Sequence, residues 1–307
     1  MALHRLSSVT IGVPDPDATT RYYEEFGLTR EDEGWLSTAD GGRQLRLVAS
    51  PARRLVALSI GAENPDDIGA VENRLRRLDL TADASDTRVA AVEPITGVQV
   101  EVTVTPRIEQ PEAPATAYNG PGRTDRGTGR APGILREGRV RPRKLGHVVI
   151  GSTDQEASQR FFAEGIGLKI SDEVPGLSSF MRCSTDHHNI LVSSAPVNFV
   201  HHTSWQVDDV DEIGRGATAM LREHPERHIW GLGRHHVGSN FFWYLKDPAG
   251  NFSEYYSDMD CVVDDALWKP QVWEAAKSLF SWGPPPPPSF LQPEDLAALM
   301  AGAHSAR

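Results

Sequence analysis

The chain has 307 residues, a formal net charge of −11 and two cysteines, Cys183 and Cys261. Its length predicts two domains, its acidity excludes a nucleic-acid binder, which needs a basic surface for phosphates, and two cysteines cannot build a disulfide framework, which fits a reducing cytoplasm. No apolar run approaches the roughly 18–20 residues of a membrane span and the first residues lack a secretory pattern, so no membrane partner is expected.

In chain order, the first element is "SVTIGVPDPDATTRYYEEFGL", Ser8 to Leu28. It predicts a short strand, an aspartate able to cap a helix, an amphipathic helix with paired aromatics, and Gly-Leu. The strand-like "RQLRLVAS" follows. A weaker copy of the same unit, "ALSIGAENPDDIGAVENRLRRL", spans Ala57 to Leu78 and is followed by "VAAVEPITGVQVEVTV". The segment "PGRTDRGTGRAPGILREGRVRPRK" has no apolar periodicity and predicts a connector with solvated arginines rather than an anion site. A third copy, "HVVIGSTDQEASQRFFAEGIGL", runs from His147 to Leu168, followed by "SFMRCSTDHHNILVSS". The fourth is "FVHHTSWQVDDVDEIGRG", Phe199 to Gly216. There His202 precedes Asp209 by the seven residues that separate His147 from Asp154. "NFFWYLKDPAGNFSEYYS" completes it, and the "GPPPPP" run predicts a stiff polyproline spacer. The spacer leads to a short apolar helix with Pro293 and Glu294 in its first turn.

Four strand–helix copies predict an α+β fold of four tandem βαβββ modules in two barrel-like domains. The expected limits are 1–110 for a metal-free N-terminal pair, 111–143 for the connector, 144–260 for a catalytic pair and 261–307 for a tail. The repeat carries its own control. At the aligned first-strand position the copies hold Ser8, Ala57, His147 and His202. A strand cap has no reason to become histidine in one half alone. "GVQVE" ending at Glu101 matches "GNFSE" ending at Glu254, so Glu101 without histidines reads as a solvated strand carboxylate. The first strands of paired modules lie close together, which lets His147, His202 and Glu254 project into one cavity. Two imidazoles and a carboxylate on one face of an ion leave open positions for substrate and dioxygen. Successive strand residues face opposite sides. The phase to Asp209 therefore assigns the metal to His202, and His201 to an outer face or the shell behind the metal.

Residues 144–260 resemble the type I extradiol ring-cleaving dioxygenases of the vicinal oxygen chelate superfamily. The resemblance rests on "GRHHVGSNFFWYLKDPAGNFSEYY", on "LGHVVIG", on "HHNILVSS" and on "HHTSWQV". The N-terminal half is similar to the metal-free domain of those enzymes, and Trp243 departs from the usual aliphatic residue or Phe. The resemblance implies Fe(II), with Mn(II) as an alternative, and extradiol cleavage of a catechol-type diol with incorporation of both atoms of O2. It also implies a homo-oligomer. It makes His188 the acid–base histidine, near its ordinary pKa of ~6.5. It makes His235 the donor to a substrate or dioxygen oxygen, and Tyr244 a contact to a substrate oxygen; His236 faces away. Asp247, Pro248 and Gly250 read as a tight turn. Trp205, Phe242 and Trp243 read as core, and Trp268, Trp273 and Trp282 have no assigned place. The rival readings are a glyoxalase-like isomerase or lyase, which needs a fourth protein ligand, a 4-hydroxyphenylpyruvate dioxygenase-like enzyme, and a metal-free sequestering protein of the bleomycin-resistance type.

Overall fold

A computed structural model describes residues 3–305. The first module comprises β1 (Leu3–Val13), α1 (Pro16–Phe26), β2 (Thr29–Arg30), β3 (Trp35–Thr38) and β4 (Gly42–Ala49). The second comprises β5 (Arg54–Ala62), α2 (Pro65–Arg77), β6 (Asp83–Ser85), β7 (Arg88–Val92) and β8 (Gln99–Val104). One turn of helix, α3 (Pro132–Leu135), interrupts the connector. The third module holds β9 (Lys144–Ser152), α4 (Gln155–Arg160), β10 (Lys169–Val174), β11 (Ser178–Arg182) and β12 (Ile190–Ser194). The fourth holds β13 (Phe199–Gln206), α5 (Val210–Leu221), β14 (His228–Arg234), β15 (Phe241–Lys246) and β16 (Phe252–Ser257).

The aligned caps do the same work in all four modules. Asp15, Asn64, Asp154 and Asp209 each accept a backbone N–H three residues on, at 2.9, 3.2, 3.0 and 3.1 Å. Each satisfies a donor that a helix start leaves orphaned. In every module the last strand runs parallel to the first: β1 with β4, β5 with β8, β9 with β12 and β13 with β16. The paired modules join through their first strands, antiparallel, as β1–β5 and β9–β13. Two sheets result, ordered β2-β3-β4-β1-β5-β8-β7-β6 and, with the tail strand β17 (Gln271–Val272) at its edge, β14-β15-β16-β13-β9-β12-β11-β10-β17. The α+β architecture of tandem βαβββ modules is therefore as the repeat predicts. No helix among the described residues is long and apolar enough to cross a membrane.

The first sheet's helices pack on the second half. Phe26, at the end of α1, stacks on Tyr255 with ring centroids 3.8 Å apart and planes 1° from parallel. Tyr22 Oη lies 2.5 Å from Ser253 Oγ, and the Tyr255 hydroxyl donates to Phe26 O at 2.5 Å. α2 meets the π-helical turn Phe161–Ile166 that continues α4. There a Cβ on Gly165 would lie 3.2 Å from both Leu75 and Leu78. The paired aromatics of the repeat are thus a seam between halves as well as core.

Two sequence expectations need correction. The connector arginines are not simply solvated. Arg136 reaches Asp209 at 2.5 Å and Glu212 at 3.2 Å, Arg143 reaches Asp40 at 2.8 Å, and Arg139 donates to Glu25 O at 3.3 Å. The connector is thereby clipped to both halves by charge-assisted bonds. The apolar tail helix α8 (Leu296–Ser305) begins after Pro293 and Glu294 rather than on them, because Pro293 O accepts the Leu296 N–H as a preceding turn. Two further short helices precede it, α6 (Ala275–Ser278) and α7 (Pro288–Leu291). Pro287 stands at φ −70°, ψ 153°, the polyproline conformation expected of the run. Buried Arg53, between β4 and β5, forks onto Asp295 at 2.6 and 2.9 Å and donates to Val200 O at 2.6 Å. It ties the tail to both halves at once.

Truncating the seam should register as lost core. Phe26→Ala is expected to cost about 3–5 kcal/mol, read from the denaturant midpoint of the full chain.

Candidate metal centre

The site is built by the register of three strands. Ser204 on β13 pairs with His147 on β9 on one side and with Glu254 on β16 on the other. His202, two residues before Ser204, presents its ring to the same side. The small Ser204 side chain separates imidazole from carboxylate. Its buried hydroxyl has no hydrogen-bond partner among the described residues.

Across that gap the ligating atoms converge. His147 Nε2 lies 3.1 Å and His202 Nε2 3.6 Å from Glu254 Oε2, and the two Nε2 atoms are 3.4 Å apart. One donor atom from each of these three residues can be chosen so that all lie within 4.8 Å of one another. Glu254 is fully buried, and its Oε2 has no hydrogen-bond partner among the described residues. A buried carboxylate oxygen facing two imidazole nitrogens is a donor set for a divalent cation, so the residues fit the metal that the sequence pattern implies. Burial pushes the Glu254 carboxyl up. The facing imidazoles of His147, His235 and His202 outweigh it and hold the group well below the usual carboxylate range.

The first half shows what the same register does without histidines. Ser59 pairs with Ser8 and with Glu101, as Ser204 pairs with His147 and Glu254. Glu101 is one-third exposed and accepts from Arg88 Nε at 2.7 Å. It is an ion pair at the surface rather than the solvated carboxylate expected, and it has no buried charge to neutralise.

His201 lies behind His202, the second of the two places expected of it. A bulge in the β9–β13 register between Val200 and His202 breaks the alternation. His201 Nδ1 consequently lies 2.7 Å from His202 Nδ1, with its Nε2 2.7 Å from Phe290 O. A carbonyl only accepts, so His201 Nε2 carries a hydrogen. With one hydrogen on each ring, His202 Nδ1–H donates to His201. That leaves the His202 Nε2 lone pair aimed at the cluster, as a metal ligand requires.

The remaining site residues gather on one cavity of about 240 Å³, whose walls include His147, His202, His188, His235 and Tyr244. The His188 ring lies 4.2 Å from that of His147. Burial, then the rings of His147, His187, His235 and His202, push its pKa well below the ordinary value. The expectation of a near-normal pKa is corrected: burial and the neighbouring rings favour the neutral form of His188 and make it a weaker base than a free imidazole. Gly238, at φ +86°, lies against the rings of both His187 and His188. His235 Nδ1 donates to Leu279 O at 2.6 Å, so its Nε2 accepts the Tyr244 hydroxyl at 2.8 Å. Burial and the Glu254 charge raise the Tyr244 pKa, which keeps that hydroxyl protonated.

His236 is exposed. Asp247 closes the predicted turn by accepting from Ala249 N and Asn251 N, both at 2.9 Å. Trp205 and Phe242 are core as expected, Phe242 also stacking on His235 with centroids 4.1 Å apart, whereas Trp243 is partly buried against the core and bonded to His228. Sequence reasoning missed Asn240, whose Nδ2 donates to Glu254 Oε1 at 3.1 Å. It also missed Phe290 and Leu296, tail residues lining the cavity. Asn240 lies inside the quoted signature but carries no spacing signal, and the tail residues lie outside every repeat.

Residues 144–255 match the family model of the Glyoxalase/Bleomycin resistance protein/Dioxygenase superfamily. The chain is 29% identical over 304 residues to metapyrocatechase 2 of Cupriavidus necator, covering 95% of this chain and 92% of that protein. It is 29% identical over 158 residues to the manganese-dependent 2,3-dihydroxybiphenyl 1,2-dioxygenase of Geobacillus genomosp. 3, covering 47% and 50%. In fold it is similar to the Mn(II)-bound glyoxalase of Novosphingobium aromaticivorans, with a TM-score of 0.71 and 23% identity over 96% of this chain and 99% of that one.

The geometry separates the two histidines of β13 by role. His202→Ala should abolish retention of Fe(II) or Mn(II), measured by metal analysis after gel filtration. His201→Ala should retain metal, with affinity weakened about 10–100-fold. Equal loss in both would show the assignment to be wrong.

Proposed function

We propose that the protein, whose residues 144–255 match the family model of the Glyoxalase/Bleomycin resistance protein/Dioxygenase superfamily, cleaves a catechol-type diol in the extradiol position with incorporation of O2. The observation that carries this reading is a three-donor cluster, His147, His202 and Glu254, opening onto a cavity that also presents His188, His235 and Tyr244. The relatives named for catechol and dihydroxybiphenyl oxygenation support it.

Fe(II) is the proposed ion, with Mn(II) accepted by the same donors; either would supply open positions for a diol and O2 and a redox-active centre joining them. Glu254 contributes a buried negative charge that favours a divalent cation over an empty site. His188, neutral and beside His147, takes a proton from a diol hydroxyl and returns it later in the cycle. Tyr244, held protonated, gives its hydrogen to His235 Nε2, so His235 is an acceptor in this arrangement rather than the donor the resemblance implies, and the Tyr244 hydroxyl donates to a substrate oxygen on turning away from His235. A glyoxalase-like isomerase shares the fold. Its expected fourth ligand has no counterpart in the three-residue cluster found among the described residues.

The cavity also narrows the substrate. Val149, Phe180, Leu191, Phe199, Phe290 and Leu296 form its apolar walls, and no Lys, Arg, Asp or Glu lines it among the described residues. A carboxylate on the ring would be desolvated there without a partner, at a cost of several kcal/mol. Catechol with an uncharged alkyl or aryl substituent is therefore the proposed class.

Anaerobic loading with Fe(II) or Mn(II), then air and a panel of catechol, 3-methylcatechol, 2,3-dihydroxybiphenyl and 3,4-dihydroxybenzoate, tests both levels. The expected result is O2 uptake with a yellow, pH-sensitive product. The value of kcat/KM should be at least about tenfold higher for the uncharged diols, equivalent to ~1.4 kcal/mol. No uptake across the panel by metal-loaded protein would overturn the dioxygenase reading. A preference for the carboxylated diol would overturn only the cavity argument.

A further inference from the structure

The loop before β12 holds a second pair of adjacent histidines, and a buried chain of contacts runs away from the cavity behind it. His188 Nδ1 lies 3.1 Å from His187 Nδ1, and His187 Nε2 lies 3.3 Å from Asp172 Oδ2. Asp172, on β10, is buried. Its Oδ1 accepts from Gln271 N at 2.8 Å and its Oδ2 from Trp273 Nε1 at 2.9 Å. Both donors come from the tail, because β17 adds to the sheet edge in parallel with Asp172 opposite Gln271. Trp268 stands edge-on to the His187 ring at 5.4 Å, with Phe180 at 5.9 Å. Two of the tryptophans with no place in the sequence reading thus hold this chain of contacts.

The hydrogens along the chain follow from the end that only accepts. A carboxylate receiving two N–H donors is an acceptor toward its third neighbour as well, so the hydrogen on the Asp172–His187 contact belongs to His187 Nε2. With one hydrogen on each ring, His187 Nδ1 is then a lone pair. The hydrogen between the two rings is therefore on His188 Nδ1, which leaves His188 Nε2 as the lone pair available to the cavity. The other tautomer would present an N–H there and could not accept a proton from a diol. The same logic, anchored on a carbonyl, orients His202 through His201.

We propose that Asp172 and His187 are positioning residues that hold His188 in the tautomer whose Nε2 is the base, with the tail segment carrying Gln271 and Trp273 completing the device. The inference rests on the dioxygenase reading for its chemistry, but its geometry stands without it.

The test uses the full-length, metal-loaded protein in two arms. In the Zn(II)-loaded, diamagnetic form, imidazole 15N–1H correlation spectra of the wild type should place the hydrogen of His188 on Nδ1 and that of His187 on Nε2. In Asp172→Asn the side-chain amide can donate to His187 Nε2, which inverts the chain and should move the His188 hydrogen to Nε2. In the Fe(II)-loaded form, Asp172→Asn should lower kcat on the order of 100-fold or more, with KM and iron content close to wild type. Trp273→Phe, which removes one of the two donors but leaves the carboxylate an acceptor, should lower kcat by less than Asp172→Asn and leave the His188 hydrogen on Nδ1. A wild-type spectrum with the hydrogen on His188 Nε2 would overturn the inference. So would an active wild type alongside an Asp172→Asn variant of unchanged kcat. Wild-type protein inactive on every catechol would instead overturn the dioxygenase reading, and the spectra would still decide the tautomer.

Discussion

A carboxylate with no exposure to water is the constraint around which the second half is arranged. Glu254 sits at the centre of β16, where an unpaired charge would cost several kcal/mol. The strand register answers that cost by placing His147 directly across Ser204 and His202 on the diagonal. Imidazoles, Asn240 and a divalent cation are what such a carboxylate can be matched with. In the first half the equivalent Glu101 reaches the surface and takes Arg88 instead. One backbone geometry thus has two electrostatic solutions, and only the buried one has metal chemistry open to it.

Two of the three adjacent histidine pairs at the site, 187/188 and 201/202, divide their labour in one way. The second member faces the cavity while the first binds it through Nδ1 and is anchored at its own Nε2, on Phe290 O for His201 and on Asp172 for His187. Neutral imidazole has one hydrogen and two distinguishable nitrogens, so an anchor that can only accept propagates a defined tautomer through two rings. A β-bulge makes this possible on β13, where regular alternation would have turned His201 to the far face.

The repeat half without histidines still shapes the site. α1 stacks its aromatics on the back of the strands that carry His202 and Glu254, and a packed interior transmits little slack. Arg53 reaches from the same half to the tail, which supplies Phe290 and Leu296 to the cavity wall and Trp273 to Asp172. The cavity is therefore closed by parts of the chain far apart in sequence.

The modular architecture, the capping positions and the convergence of His147, His202 and Glu254 were legible in the amino-acid order alone. Strand alternation, helix caps and a fourfold repeat are local or periodic signals, and a duplicated unit exposes any position at which its copies differ in chemistry. Tertiary structure alone decided how His201 and His187 back their neighbours, the depressed pKa of His188, the contributions of Asn240 and Asp172, and the role of the tail. The reason is physical. Tautomers, desolvation and cavity walls are set by neighbours tens to hundreds of residues away, and no periodicity along the chain records who those neighbours are.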